Sequence, residues 1–380
     1  MAASPLKSQW RLAAEKIAAA DFLLIAAGAG FSAIDGRLIH SHIDSSDIAK
    51  VPAYEQMGVE YQDLCDPYML AEDDEIFYGF WGNCVNSYRD SKHHRGYREA
   101  LEICMSQILY DYLILQSVER RYSILSKWRS MVASKPATTQ EAIRSTFLRL
   151  KLAEALPAGV NVDSVTDVDA HFHREFERNE VYEVHGNVEH WQCAGDPETN
   201  ARSPCDGSVW SLPPDFRFRI DFDSMRAESA SVTSCRLCGE HGRPNVLMFH
   251  DRQWIPNVKE EHTYIAWEAV MEQMMEENPS LNLVVVEIGC GTRSSISATD
   301  QQYFERRDCN QVPSVRKECE MVVADTLERC GGQPRATLLR INPDFPGCDH
   351  PAIMSNGLLI SIAAKGLDAL EAIDQELATM

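Results

Sequence analysis

Residues 22–30 read FLLIAAGAG, a continuous apolar run that ends directly in a glycine loop. Such a run is typical of a strand covered on both faces of a parallel sheet. Two later runs have the same form: LVVVEI over residues 283–288, closed by GCGT, and ATLLRI over residues 336–341, closed by NP. In open α/β sheets, ligands bind at the carboxyl ends of the strands. The three runs therefore predict an α/β fold with a Rossmann-like open parallel sheet and a ligand site at its carboxyl edge.

Weaker patterns suggest the organisation of the remaining chain. Apolar periodicity predicts helices over residues 9–20 and 367–377, and shorter apolar stretches suggest strands over 160–166, 181–184 and 246–249. Residues 51–159 have a mostly helical pattern, whereas residues 193–243 are rich in Cys, Pro and Gly. We expect a helical insertion over 51–159 and a zinc-binding module over 193–243 to form a smaller inserted domain. The sheet domain then comprises residues 1–50, 160–192 and 244–380.

The composition restricts the classes of function. The 380 residues include 36 Lys and Arg and 57 Asp and Glu, which gives a net charge of −21. An acidic surface opposes coating of nucleic acid and favours basic partners such as lysine-rich protein segments. No apolar run approaches the roughly 18 residues of a membrane span, and the first residues lack the pattern of a secretory signal. We expect a cytoplasmic protein, with a nuclear location left open, and neither nucleic acid nor membrane as a partner. Its 12 cysteines are then thiols or metal ligands rather than disulfides.

The loop after the first run is a candidate phosphate cradle, formed by Gly28, Ala29, Gly30 and Ser32. Glycine lets the backbone approach a pyrophosphate closely, and the start of a following helix favours negative charge. Ala33 replaces the third glycine of the G-x-G-x-x-G pattern. An ordinary turn from strand to helix would therefore look the same.

Four cysteines predict a structural metal site. Cys235 and Cys238 have the two-residue gap that lets two sulfurs bind one tetrahedral zinc. Cys193 and Cys205 are eleven residues apart, so their spacing also fits two ordinary thiols. If all four bind, no coordination position stays open for chemistry, and the zinc is structural.

His185 follows the short stretch VYEV that we interpret as a strand, which would place its imidazole at the edge of the sheet. Because histidine titrates near neutral pH, His185 is a candidate general base. The alternative is a solvated or hydrogen-bonded histidine with no chemical role.

Taken in order, these motifs resemble the sirtuins, which are NAD-dependent protein deacylases. The order is the glycine loop, DVD at 167–169, His-Gly at 185–186, the cysteine module, RPNVLMF at 243–249, GCGT at 289–292 and Ile-Asn at 341–342. Within the family the sequence looks closest to a bacterial-type branch, on the stretches DP at 66–67, FYGF at 77–80 and HRGY at 94–97. The resemblance covers residues 13 to 373, and the order of the motifs carries it rather than any single motif.

The resemblance implies transfer of an acyl group from a protein lysine to ADP-ribose, with release of nicotinamide from NAD. It implies that His185 is the catalytic base, that Phe249 walls the acyl-lysine tunnel, and that the four cysteines hold one structural zinc. The expected substrate is an acylated lysine in a basic protein. The cofactor-binding residues that it implies are Gly28, Ala29, Gly30, Ser32, Asp167, Asp169, Gly289, Gly291, Thr292 and Asn342.

The sequence also departs from the sirtuin pattern. After Gly30 the family continues through Ser-Gly-Ile-Pro-Asp-Phe-Arg, of which only Gly36 has a clear counterpart here. Asp167 replaces an asparagine that orients a water and the ribose, and His250 stands where the family has glycine. These departures keep two alternatives open: an ADP-ribosyltransferase or NAD glycohydrolase, and a non-catalytic module that binds NAD or ADP-ribose.

Overall fold

The computed structural model describes residues 5–28, 31, 51–90, 120–134, 160–163, 170–174, 176, 178–195, 205, 207–229, 232–291 and 315–380. In chain order these residues form α1 (Pro5–Ala19), β1 (Phe22–Ala27), α2 (Pro52–Met57), α3 (Tyr61–Leu64), α4 (Met69–Glu72), α5 (Asp74–Asp90), α6 (120–133), β2 (Val160–Asp163), β3 (Gly186–Cys193), β4 (Val209–Ser211), β5 (Ile220–Asp221), β6 (Arg226–Ala227), β7 (Gly242–Val246), α7 (Val258–Glu277), β8 (Leu283–Ile288), α8 (Val315–Arg329), β9 (Ala336–Ile341), α9 (Pro351–Ser355), β10 (Leu359–Ile362) and α10 (Gly366–Leu377). Two 3-10 helices, His171–Arg174 and Arg178–Glu180, follow β2.

Five strands form a parallel sheet in the order β10-β9-β8-β1-β2. The chain passes from β1 to β2 on one side and later returns to β8 on the other side. The topological switch point therefore lies between β1 and β8, and its carboxyl edge is where ligands bind in open α/β sheets. The predicted fold class is confirmed.

Alternate residues of β1 enter different cores, which explains why the strand is apolar throughout. Leu23 and Ile25 belong to a first core with residues of α1, α6 and α10. Phe22 and Leu24 belong to a second core with residues of α7 and α8 on the opposite face. A strand covered on both faces buries every side chain, and all six residues of β1 are buried.

The insertion between β1 and β8 holds a small antiparallel sheet of order β4-β3-β7 and a third core. Helix α5 packs on this sheet, where Tyr78 stacks with Trp191 at 6.2 Å between ring centroids. The Tyr78 hydroxyl donates to the carbonyl oxygen of Gly242 over 2.6 Å. The insertion therefore has its own apolar core beside the parallel sheet.

The three long predicted strands and both predicted terminal helices are confirmed, but two short strands are wrong. Residues 182–185 lie in a turn, and the strand begins only at Gly186. Strand β7 ends at Val246, where we expected a strand to begin. The apolar character of residues 181–184 reflects burial, because Val181 belongs to the first core without pairing in a regular strand.

Helix α6 packs on the parallel sheet, although we assigned residues 51–159 to the helical insertion. Trp128 of α6 is buried in the first core, and its indole nitrogen donates to Asp374 of α10 over 3.2 Å. Lys127 lies 2.6 Å from the same carboxylate. The exact boundaries between the sheet domain and the inserted domain stay a prediction.

Among the helices that the structure describes, none is both long and apolar enough to span a bilayer.

Candidate functional site

The loops after β1 and β8 meet at the switch point, where two predicted site residues lie. The amide of Gly28 donates to the carbonyl oxygen of Ile288 over 2.9 Å. A Cβ atom at Gly28 would lie 2.5 Å from the Cα of Cys290 and 2.7 Å from the carbonyl oxygen of Gly289. Because these are backbone atoms, they have no side-chain freedom with which to move away. Gly28 is therefore required for the close approach of the two loops.

Asn342 joins the loops after β8 and β9. Its Nδ2 donates to the carbonyl oxygen of Cys290 over 2.8 Å, and its Oδ1 accepts from the amides of Asp344 and Phe345 at 3.0 and 2.9 Å. The predicted contact of this side chain with a ribose stays a prediction. Gly291 is exposed, and no described atom lies within 4 Å of a Cβ placed on it. Within the described residues, the carboxyl edge thus combines a tightly held pair of loops with a glycine, Gly291, that has no close neighbour.

A buried ion-pair network underlies this edge, and our sequence analysis missed it. Glu287 of β8 and Arg340 of β9 are register partners, 2.6 Å apart, and both are buried. Arg340 also donates to Glu320 of α8 over 2.9 Å and to the carbonyl oxygen of Gly347 over 2.7 Å. Burial raises the pKa of Glu287, and the charge of Arg340 opposes that shift. The signal in the sequence was a pair of opposite charges in two otherwise apolar strands: Glu287 near the end of β8 and Arg340 near the end of β9.

Several predicted cofactor-binding residues lie outside the described residues. They are Ala29, Gly30, Ser32, Asp167, Asp169 and Thr292.

His185 lies in the turn that leads into β3. The turn is closed by the amide of Gly186, which donates to the carbonyl oxygen of Glu183 over 3.0 Å. Gly186 has a φ of 72°, and a Cβ there would lie 1.9 Å from the carbonyl oxygen of Asn245. The glycine after His185 is therefore required both by its backbone conformation and by the approach of β7.

The turn of His185 lies where the three cores meet. Within eight residues the chain contributes Val181 to the first core, Tyr182 to the edge of the second and Val188 to the third. The surrounding protein desolvates the imidazole and lowers the pKa of His185 to about 4. The half-buried imidazole is therefore neutral at pH 7 and able to accept a proton.

The predicted substrate residue Phe249 is attached to the same turn through the segment after β7. The amide of Leu247 donates to the carbonyl oxygen of His185 over 2.9 Å. Two residues later, the amide of Phe249 donates to the carbonyl oxygen of Cys65 over 2.9 Å. The ring of Phe249 meets Tyr61 edge to face, with centroids 6.1 Å apart. The short segment 247–249 thus joins the turn of His185, through Leu247, to the helical insertion, through Phe249.

His250 has a backbone conformation that glycine adopts more easily than histidine. It has a φ of 54°, in the left-handed region that favours glycine. Its Nδ1 lies 2.8 Å from a carboxylate oxygen of Asp66, a contact that helps to hold this conformation.

The four predicted metal ligands lie together. The sulfur atoms of Cys193, Cys205, Cys235 and Cys238 are all within 4.8 Å of one another. Two pairs of sulfurs are closer, at 3.6 Å for Cys193 and Cys238 and 3.3 Å for Cys205 and Cys235. A tetrahedral zinc with bonds of about 2.3 Å needs sulfurs about 3.8 Å apart. The cluster is therefore consistent with a structural zinc.

The local environment favours ionisation of one of these thiols. Burial opposes it, but the backbone amides of Cys238 and Leu237 and the thiol of Cys205 together lower the pKa of Cys235 to about 7. Hydrogen bonds within the cluster raise the pKa of Cys205, so they favour the thiolate at Cys235 rather than at every sulfur.

Comparison with known proteins assigns no family. No protein-family model matches the sequence, and no curated protein matches it. The fold and the cluster define the class as an α/β protein with a parallel sheet and an inserted four-cysteine cluster.

Proposed function

We propose that the protein is an NAD-dependent protein lysine deacylase of the sirtuin type. One observation carries the proposal: the ladder of β3 and β7 has His185 directly before one end and Cys193 at the other, and the chain that follows β7 leads to Phe249. A candidate base, a candidate metal ligand and a candidate wall for the acyl group thus belong to one structural unit. The order of the motifs in the sequence supports the same reading.

The carboxyl edge of the sheet is suited to a dinucleotide. The loops after β1 and β8 would hold the cofactor, with Gly28 and Gly289 in contact and no described atom close to a Cβ placed on Gly291. NAD, when bound, supplies the ADP-ribose that accepts the acyl group and the nicotinamide that leaves. Glycine loops at a switch point let the backbone approach phosphate groups, which supports this ligand.

His185 would act as the base in this reaction. Its imidazole is neutral at pH 7, which is the form that accepts a proton from a ribose hydroxyl, and its lowered pKa makes it a weaker base than a free histidine. Phe249 is partly buried and would exclude water from the acyl group. The proposed zinc would brace β3 against the turn of Cys235 and Cys238 and would take no part in the chemistry. The net charge of −21 favours basic protein substrates.

The test is nicotinamide release from NAD by the purified protein, with and without an acetyl-lysine peptide. Release that requires the peptide, with an equal loss of acetyl groups, supports the proposal. A His185→Ala variant should then lose deacylation by at least a hundredfold, whereas His262→Ala, which removes an exposed histidine of α7, should keep the wild-type rate.

Other outcomes overturn the proposal in distinct ways. Release that does not need the peptide identifies an NAD glycohydrolase or an ADP-ribosyltransferase. No release from a folded protein that contains zinc leaves a module that binds NAD or ADP-ribose without turnover.

A further inference from the structure

We propose that Glu183 is a positioning residue for His185 and acts through Asn187. The proposal rests on the proposed function, because it concerns the base of that reaction. Neither residue touches the reacting groups in this proposal; together they fix the turn that carries the imidazole.

Glu183 and Asn187 lie two residues before and two residues after His185, and their side chains are bonded to each other. Glu183 is 1% exposed and Asn187 is 1% exposed. The Nδ2 of Asn187 donates to Oε2 of Glu183, and the carbonyl oxygen of Glu183 accepts from the amide of Gly186. A side-chain bond and a backbone bond thus close the turn around His185 from two directions.

Asn187 extends this brace into β3. Its Oδ1 accepts from the amides of Glu189 and His190 at 2.9 and 3.1 Å. The pairing of β3 with β7 shifts in register between Asn187 and Trp191, so this side chain bonds amides in the irregular part of the strand. The turn of His185 is therefore tied to the strand that follows it.

The burial of Glu183 calls for an explanation, since a carboxylate removed from water costs several kcal/mol unless it is paired. Its Oε1 lies 3.4 Å from Nε2 of His173. The other charged or titratable groups nearby are Glu260 in the first turn of α7, Arg178, which is 3.9 Å from Glu260, and His190.

These neighbours respond to the charge of Glu183. Burial lowers the pKa of His173, but the close contact with Glu183 and the negative charges of Glu183 and Glu260 outweigh it and raise the pKa overall. Burial and the charge of Glu183 together raise the pKa of Glu260 to about 7. The buried carboxylate of Glu183 thus shifts the pKa values of two neighbouring side chains. Because it lies two residues from His185, a role in fixing the position of that imidazole explains its burial.

The test compares Glu183→Ala with Glu183→Gln, which keeps an oxygen for Asn187 and loses only the charge. The matched control is Glu272→Gln, because Glu272 is also a buried carboxylate, 2.7 Å from Arg329. It lies on α7 twelve residues after Glu260, about 18 Å along the helix. The readouts are kcat, KM for NAD, and the imidazole NMR signal of His185, assigned by its loss in His185→Ala.

Glu183→Ala should lower kcat by about tenfold to a hundredfold, because a small misplacement of a catalytic group has that effect. KM for NAD should stay within twofold, and the His185 signal should shift and broaden. Glu183→Gln should lose less than tenfold in kcat and show a smaller shift. Glu272→Gln should leave kcat and the signal unchanged.

A folded Glu183→Ala protein with unchanged kcat and an unchanged His185 signal overturns the proposal. Should Glu183→Ala not fold, Glu183→Gln decides on the same two readouts, and an unchanged signal overturns the proposal there as well. If the wild-type protein releases no nicotinamide, the proposed function fails. The NMR comparison then still decides whether Glu183 positions His185.

Discussion

Gly28→Ala tests how closely the loops after β1 and β8 approach. The added Cβ would lie 2.5 Å from the Cα of Cys290, whereas ordinary contact begins at 3.4 Å. The two loops must therefore separate by 3.4 − 2.5 = 0.9 Å, or about one ångström. If they separate along the bond from the Gly28 amide to Ile288, that bond lengthens from 2.9 Å to about 3.8 Å, which is beyond the range of a hydrogen bond.

The expected cost follows from these two effects. Overpacking costs about 1–3 kcal/mol, and the loss of one backbone hydrogen bond adds about 1 kcal/mol. The free energy of unfolding should therefore fall by about 2–4 kcal/mol relative to a matched glycine variant. Gly291→Ala is that match, because a Cβ there meets no described atom within 4 Å. Both variants lose the same entropy in the unfolded chain, so the comparison isolates the contact.

The assay is urea unfolding of both variants, with hydrogen exchange of the residue 28 amide as a local readout. Gly28→Ala should show the lower midpoint and faster exchange of that amide. Bound NAD at 100 times its Kd should stabilise the wild-type protein by about 2.7 kcal/mol, and Gly28→Ala should gain less. Equal midpoints for the two variants, within about 0.5 kcal/mol, would refute the close approach of the loops on which this reasoning depends.

Three further predictions concern buried charge and the metal site. Arg340→Met should destabilise the protein by about 3–5 kcal/mol, since it leaves buried carboxylates unpaired; Glu287→Gln should cost less, because Arg340 keeps two other partners. Equal losses in urea unfolding would contradict this order. Elemental analysis should find one zinc per chain in the wild type; Cys238→Ser should lose it, whereas Cys330→Ala, outside the cluster, should retain it. A Cys238→Ser protein that keeps its full zinc would remove this cysteine from the site. The folded protein holds a proton on Glu260 more tightly than the unfolded chain, with a pKa of about 7 against 4.5, so stability should fall as pH rises through this window. Glu260→Gln should remove up to about 3 kcal/mol of this loss of stability. The measurement is the change in the urea midpoint between pH 5 and pH 8. An equal change in the wild type and in the variant would disprove the prediction.

The sequence predicted those elements whose patterns are determined by local burial. Strands β1, β8 and β9 are apolar on both faces, and a strand of this kind has few alternative interpretations. The stretch 181–184 has a similar composition but pairs in no regular strand. Its valines are buried by contacts with distant segments, such as that of Val181 with the core of Phe172, and local periodicity carries no information about such contacts.

In the candidate site, too, local spacing predicted some residues and missed those that distant segments bring together. The two-residue gap between Cys235 and Cys238 is a local signal, so half of the cysteine cluster could be predicted from spacing. The participation of Cys193 depends on the end of β3, and spacing alone left it open. The pairing of Glu183 with His173 was not predictable either, because different segments supply the two side chains.

Strand β3 links the two ends of the candidate site more closely than a plain strand would. Its first residue follows His185, its last residue is a candidate zinc ligand, and its irregular middle is bonded by the side chain of Asn187. A regular ladder would hold these ends through backbone bonds alone. Here the side chain that bonds the irregular amides also braces the turn of His185. A disturbance at the cysteine cluster that shifts β3 is therefore expected to reach the imidazole through Asn187, so the proposed zinc would influence the proposed chemistry without an open coordination position.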